Sequence, residues 1–164
     1  MALTDDDSAV DSLPVALVGT VIIIALIVAL AAFGIKNAAP ALEMASVDRQ
    51  VGAVANDCRF LLSLAPRQLD DPGSPPGAMR YVRIDLPGGT EYVSFGYDPD
   101  SGGGHAGTIY YKVLGAKKAI VVVEGATFRA DEGNPMILRA GRYDLRIEYA
   151  RDALGHRYLL VTPA

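Results

Sequence analysis

The chain has 164 residues, a formal net charge of −4 and a pI near 5.1, and 51% of its residues are hydrophobic. An acidic chain whose only adjacent basic pair is Lys117-Lys118 lacks the clustered cations that a phosphate backbone requires, so no nucleic-acid partner is expected. A single cysteine, Cys58, excludes an intrachain disulfide and a cysteine zinc cage, and two distant histidines, His105 and His156, argue against a histidine metal site; no cofactor is expected.

Residues 1–12 form an acidic tail containing Asp5, Asp6, Asp7 and Asp11. From Leu13 to Ile35 no charged residue occurs. As a helix this run of about 23 residues reaches roughly 34 Å, enough to cross a hydrocarbon core of about 30 Å. Leu13, Val18, Ile22, Ile24, Leu26, Leu30, Phe33 and Ile35 leave no polar face, which disfavours an amphipathic surface helix. The segment is predicted to lie in a lipid bilayer or in the core of a helical filament. A buried core helix would need protein on all sides, more than the remaining residues supply. A cleavable secretory signal would start with a basic residue and have a shorter apolar run, so a retained anchor is expected.

Lys36-Asn37-Ala38-Ala39-Pro40 predicts an interfacial break, where the helix leaves the lipid or kinks. Residues 36–65 then continue as an amphipathic helix. Met44, Val47, Val51, Val54, Cys58 and Leu61 recur at spacings of three and four, the signature of one apolar stripe, with Glu43, Asp48, Arg49, Asp57 and Arg59 largely off it. That stripe is expected to pack either on the domain that follows or on neighbouring copies of the same helix. Pro66 ends the helix, and residues 66–78 form a linker in which Gln68 to Gly77 is an extended loop rich in turn formers.

Residues 79–164 carry the punctuation of an all-β, sandwich-like domain, so the whole chain is predicted to be α+β. Strands are expected at Arg80–Leu86, Glu91–Tyr97, Thr108–Leu114, Ala119–Val123, Thr127–Arg129, Met136–Arg139, Tyr143–Tyr149 and Arg157–Val161. The unbroken Ile120-Val121-Val122-Val123 suits a strand buried on both faces.

The sequence offers little chemistry. Ser101-Gly102-Gly103-Gly104 precedes a strand rather than a helix N-terminus and lacks a Lys-Ser/Thr pair, so a flexible hairpin connection is expected in place of a phosphate loop. His105 and His156 stand in turns with no partner or nucleophile at a useful spacing. The carboxylate pairs Asp70-Asp71 and Asp131-Glu132 fall in solvated loops. Cys58, on the apolar stripe, is read as a small buried hydrophobe. The eight tyrosines lie in or beside predicted strands, as an aromatic ring with a wet end suits a half-buried sheet. No enzymatic activity is expected.

A long helix, apolar in its first half and amphipathic in its second, followed by a strand-rich head, resembles the plan of type IV pilins. The closest resemblance is to archaeal pilin-like proteins, whose mature N-terminus is similar in character to Ala9-Val10-Asp11-Ser12-Leu13-Pro14-Val15-Ala16-Leu17-Val18-Gly19. Archaellum stator proteins are similar in general plan, with one helix and an immunoglobulin-like sandwich. The resemblance implies a non-enzymatic, single-pass surface protein with a structural or filament-forming role. Its partners would be the bilayer, copies of itself through the N-terminal helix, or a cell-envelope protein, the last for a monomeric, stator-like binding module. It also implies that Asp11 serves as a carboxylate that sets subunit register. The positions of Lys36 and Arg49 favour a cytoplasmic head by charge alone, whereas the resemblance in architecture implies an extracellular head.

Overall fold

The computed structural model of the chain describes residues 8–68, 73, 77–130 and 134–164, with side chains described from Val15 onward except at Asn37. The acidic pairs Asp70-Asp71 and Asp131-Glu132, and Asp5 to Asp7, lie outside the described residues. The chain is α+β: one long helix precedes a region of two sheets. Two compact units meet at Ala39 and Pro40, and each is described by itself.

Helix α1 runs Ser8–Leu62. The break expected at Lys36 to Pro40 is absent, since every residue there is helical. Proline removes a single amide donor, the one that would reach the Lys36 carbonyl, and Ala38, Ala39, Ala41 and Leu42 around it are strong helix formers. The helix closes in a tight final turn, in which the amides of Ser63 and Leu64 reach the carbonyls of Phe60 and Leu61 at 3.1 and 3.0 Å. Pro66 follows, one reason the helix goes no further.

Among the described residues nine strands follow: β1 Arg67–Gln68, β2 Met79–Leu86, β3 Thr90–Phe95, β4 Thr108–Val113, β5 Ala119–Val122, β6 Phe128–Ala130, β7 Met136–Leu138, β8 Gly141–Arg151 and β9 Arg157–Pro163. The predicted strands are all present within a few residues. Gln68, placed in the linker from sequence, instead pairs with Arg151 as part of β1. The first sheet is built on β8, which pairs with β9 along one edge and with both β1 and β2 along the other, while β6 joins the far side of β9. The second sheet is antiparallel throughout, in the order β5-β4-β3-β7.

Alternation decides which side chains meet. Ile84, Leu86, Leu145, Ile147, Tyr149, Leu159 and Val161 come from the first sheet, and Val93, Phe95, Ile109, Tyr111, Val113 and Leu138 from the second, into one shared core. The second half of α1 contributes Val47, Val51, Val54, Ala55, Cys58 and Leu61 to that same core. Strand β5 corrects the expectation of burial on both faces. It is an edge strand, and Ile120 and Val122 are 55% and 52% exposed. A short apolar run in sequence looks the same for a central strand as for an edge strand with one bare face.

Candidate functional site

The first candidate is the apolar stretch of α1. Val18, Ile22, Ile24, Leu26, Leu30, Phe33 and Ile35 are all exposed, between 54% and 73%. Exposure is not confined to one stripe, because the consecutive residues Ile22, Ile23 and Ile24 are bare alike. Covering each such side chain is worth about 1.5–3 kcal/mol, so the segment is costly in water and favoured in any apolar surrounding. Thr20 carries the one side-chain hydroxyl in the run, and it donates to the Ala16 carbonyl at 2.9 Å. The helix therefore satisfies its own polar group and asks nothing of its surroundings. This is one helix long and apolar enough to cross a membrane. Asp11 and Leu13 lie on α1, and their side chains fall outside the described residues.

The second candidate is the helix-packing stripe. Val47, Val51, Val54, Cys58 and Leu61 are 0–1% exposed, and Met44 packs partly buried against the core. Of the two partners open from sequence, the stripe meets the strand domain. Ala55 is equally buried but lies between stripe positions and carries too little apolar signal to announce itself. Burial pushes the Cys58 thiol up to about 12, with the neighbouring Asp57 charge adding to the effect. The exposed rim of the helix is also tied down. Asp48 accepts a hydrogen bond from Tyr111, Arg80 lies 3.9 Å from Asp57, and its guanidinium sits 5.0 Å from the Phe60 ring.

The Gly-rich connection between β3 and β4, expected to be a flexible hairpin, is a built turn. Asp98 is 5% exposed and its carboxylate gathers Lys118 Nζ at 2.6 Å, Ser101 Oγ at 2.9 Å and the Asp100 amide at 3.1 Å. The Asp98 amide closes the turn on the Gly103 carbonyl. Lys118 above all, with Ser101 and the Asp100 amide, holds the Asp98 carboxyl below the usual carboxylate range. Gly104, at φ +143°, takes a backbone conformation that side chains avoid, and a Cβ there would lie 2.9 Å from the Asp98 amide. The turn folds onto the outer face of the second sheet: Tyr92 donates to Asp100 at 2.9 Å, and the His105 amide donates to the Tyr110 hydroxyl at 2.8 Å. Burial, then Asp100, raises the Tyr92 phenol above its ordinary value. Tyr92 and Tyr110 are buried by this arrangement, so the carboxylates here hold a loop in place.

His156 is exposed, with Nδ1 3.4 Å from Asp152. Asp152 is engaged in its own turn, accepting from the Leu154 and His156 amides at 3.1 and 2.9 Å, and Arg129 adds a further contact at 3.3 Å. Burial pushes this carboxyl up, but His156, first through its backbone amide, and then Arg129 hold it below the usual range. The two histidines stand on different turns, as the sequence indicated. Among the described residues no group of three or more His, Cys, Asp or Glu is placed to hold a metal.

One charged centre escaped the sequence. Glu148, on the outer face of β8, is 1% exposed and lies 3.3 Å from Arg67 and 3.8 Å from Arg146. Its alternation with Tyr149 reads as an ordinary outward carboxylate. The burial comes from the pairing of β1 and β2 on one edge of β8, which no local pattern announces. A cleft of about 410 Å³ opens on the side where β6 and β7 lie, above the edge-to-face pair Phe95 and Phe128, and is lined also by Gly96, Tyr97, Arg129, Ala130, Asn134 and Pro135.

No family model matches the sequence, and comparisons with curated proteins and with solved structures returned no match.

Proposed function

We propose that this chain is a non-enzymatic, membrane-anchored surface protein of pilin-like plan, whose first helical half lies in lipid or in a filament core and whose strand domain is a scaffold presented outside the cell. The reading rests on one contrast within α1. Residues Val15 to Ile35 leave their apolar side chains bare, whereas Val47 to Leu61 spend theirs on the core of the head. A helix that needed only to complete a soluble domain would stop near its packing stripe. The additional uncharged turns have to find an apolar surrounding elsewhere, in a bilayer or among copies of themselves.

The carboxylates described above hold turns and a sheet face together, which favours a structural role over catalysis. Fractionation tests the reading. Recovery in sheared extracellular filaments supports a filament subunit, and recovery only in detergent-solubilised membranes supports a monomeric anchored module. A full-length chain that stays monomeric and soluble without detergent defeats both. Protease treatment of intact cells checks the side, since digestion of the head only after lysis overturns the external placement.

A further inference from the structure

We propose that the second half of α1 is an edge guard, with Gln50 and Arg59 occupying outward-facing backbone groups of two strands that would otherwise recruit a strand from another head. Among the described residues, strand β2 pairs with β8 on one side and with no strand on the other, and β5 likewise has only β4. Such edges present unpaired N–H and C=O groups in rows, which makes them templates for pairing with another chain.

The helix meets both. The Gln50 side-chain amide donates to the Asp85 carbonyl at 2.8 Å and accepts from the Asp85 amide at 2.7 Å. In an antiparallel ladder every second residue directs both backbone groups away from its partner strand. Asp85 is such a residue on β2, and the Gln50 carboxamide supplies the donor and acceptor that a neighbouring strand would supply. On β5 the Arg59 guanidinium donates to the Val122 carbonyl at 2.9 Å, and it is steadied by Asn56 at 2.8 Å. Beside that carbonyl the side chains of Ile120 and Val122 are bare. That makes β5 the more adhesive of the two edges, because an apolar strand with an open ladder satisfies both needs of an incoming strand. Each guard bond comes from a residue off the buried stripe, so the packing of the helix does not itself require Gln or Arg at these positions.

The inference deepens the anchored-scaffold reading and rests on it for its purpose, since heads gathered in one membrane or along one filament face each other at high local concentration. The test, however, needs only the purified full-length chain in detergent. Gln50→Leu and Arg59→Leu together are expected to raise the fraction of head-paired dimers and larger species by roughly tenfold at a fixed concentration, the shift that about one net hydrogen bond of lost competition produces. Scattering-coupled chromatography and cysteine-independent cross-linking read this fraction, and thermal melting reads folding alongside it. Adding Tyr81→Lys on β2 and Ile120→Lys on β5, both exposed positions, restores edge charge and is expected to return the double variant to the parental mass.

A double variant that stays at the parental mass with an unchanged melt overturns the guard. Association that persists after the lysines are added does not run through these edges and overturns it too. Failure of the anchor reading looks different: the unmutated chain would remain dispersed without detergent whatever stands at positions 50 and 59.

Discussion

Tyr111, whose ring is buried on the core face of β4, donates its phenolic O–H to the Asp48 carboxylate of α1 at 2.5 Å. A strand residue from the middle of the second sheet thereby reaches the polar rim of the helix. Burial first, then this bond and the Asp48 charge, raise the Tyr111 phenol above its ordinary value. Tyr111→Phe keeps the ring and removes the bond, and is expected to lower the stability of the head by about 1–2 kcal/mol, a little under the usual worth of a bond to a charged group because Asp48 is exposed to water. Denaturant unfolding of the purified chain measures it. An unchanged midpoint would show that the bond contributes nothing.

Alkaline pH should weaken the head through the same residue and through Tyr92. Both phenols are raised in the folded state, so between an unfolded value of about 10 and the folded value the unfolded chain releases protons that the native one keeps. Their contribution is complete below about pH 10 and falls as pH rises beyond it. Ultraviolet titration should show a late-ionising class of tyrosines, and the Tyr92→Phe, Tyr111→Phe double variant should lack it.

Acid acts on the Asp98 turn with the opposite sign. The Asp98 carboxyl is held low, so its contribution is present above about pH 4, the unfolded value, and is lost as pH falls through the folded one. Lys118→Met removes the largest cause and should move the acid unfolding midpoint upward. A midpoint at the parental pH would deny that Lys118 sustains the turn.

Cys58 should resist thiol reagents at neutral pH while the head is folded, because only the thiolate reacts and burial suppresses it. Labelling is expected to become fast only in denaturant. Prompt labelling of the native chain would mean that the helix lifts readily from the core.

In the apolar stretch, Ile24→Arg places a charge at an exposed position of α1 and should cost about 3–4 kcal/mol of insertion at the bilayer centre. The expected outcome is a large fall in the membrane-recovered fraction. Leu61→Ala, by contrast, hollows the shared core at a site 1% exposed, and should lower head stability by about 2–5 kcal/mol while leaving membrane recovery intact. Swapped phenotypes would reverse the division of labour within the helix.

The periodicities in the sequence carried most of the fold. A change from uniform apolarity to spacings of three and four marked where α1 passes from bare to packed, and Val47, Val51, Val54, Cys58 and Leu61 were legible because burial selects one face of a helix. What the sequence withheld was long-range. Glu148 becomes buried because β1 and β2, both far from it in the chain, share one edge of β8. Ile120 and Val122 become exposed because β5 stands at the sheet edge, with only β4 beside it among the described residues. Asp98 and Lys118 are separated by a whole strand before the sheet brings them to 2.6 Å. The break expected at Pro40 failed for a local reason, as one missing donor among good helix formers does not stop a helix.

The division between the two units at Ala39 and Pro40 has a consequence for proteolysis. Since Val47 to Leu61 are core residues of the head, a protease cutting after Leu62 would leave two sheets without their filling, and the released fragment would collapse. A cut near Pro40 would instead leave the second unit with its core whole. The same boundary fixes where a recombinant strand domain should begin.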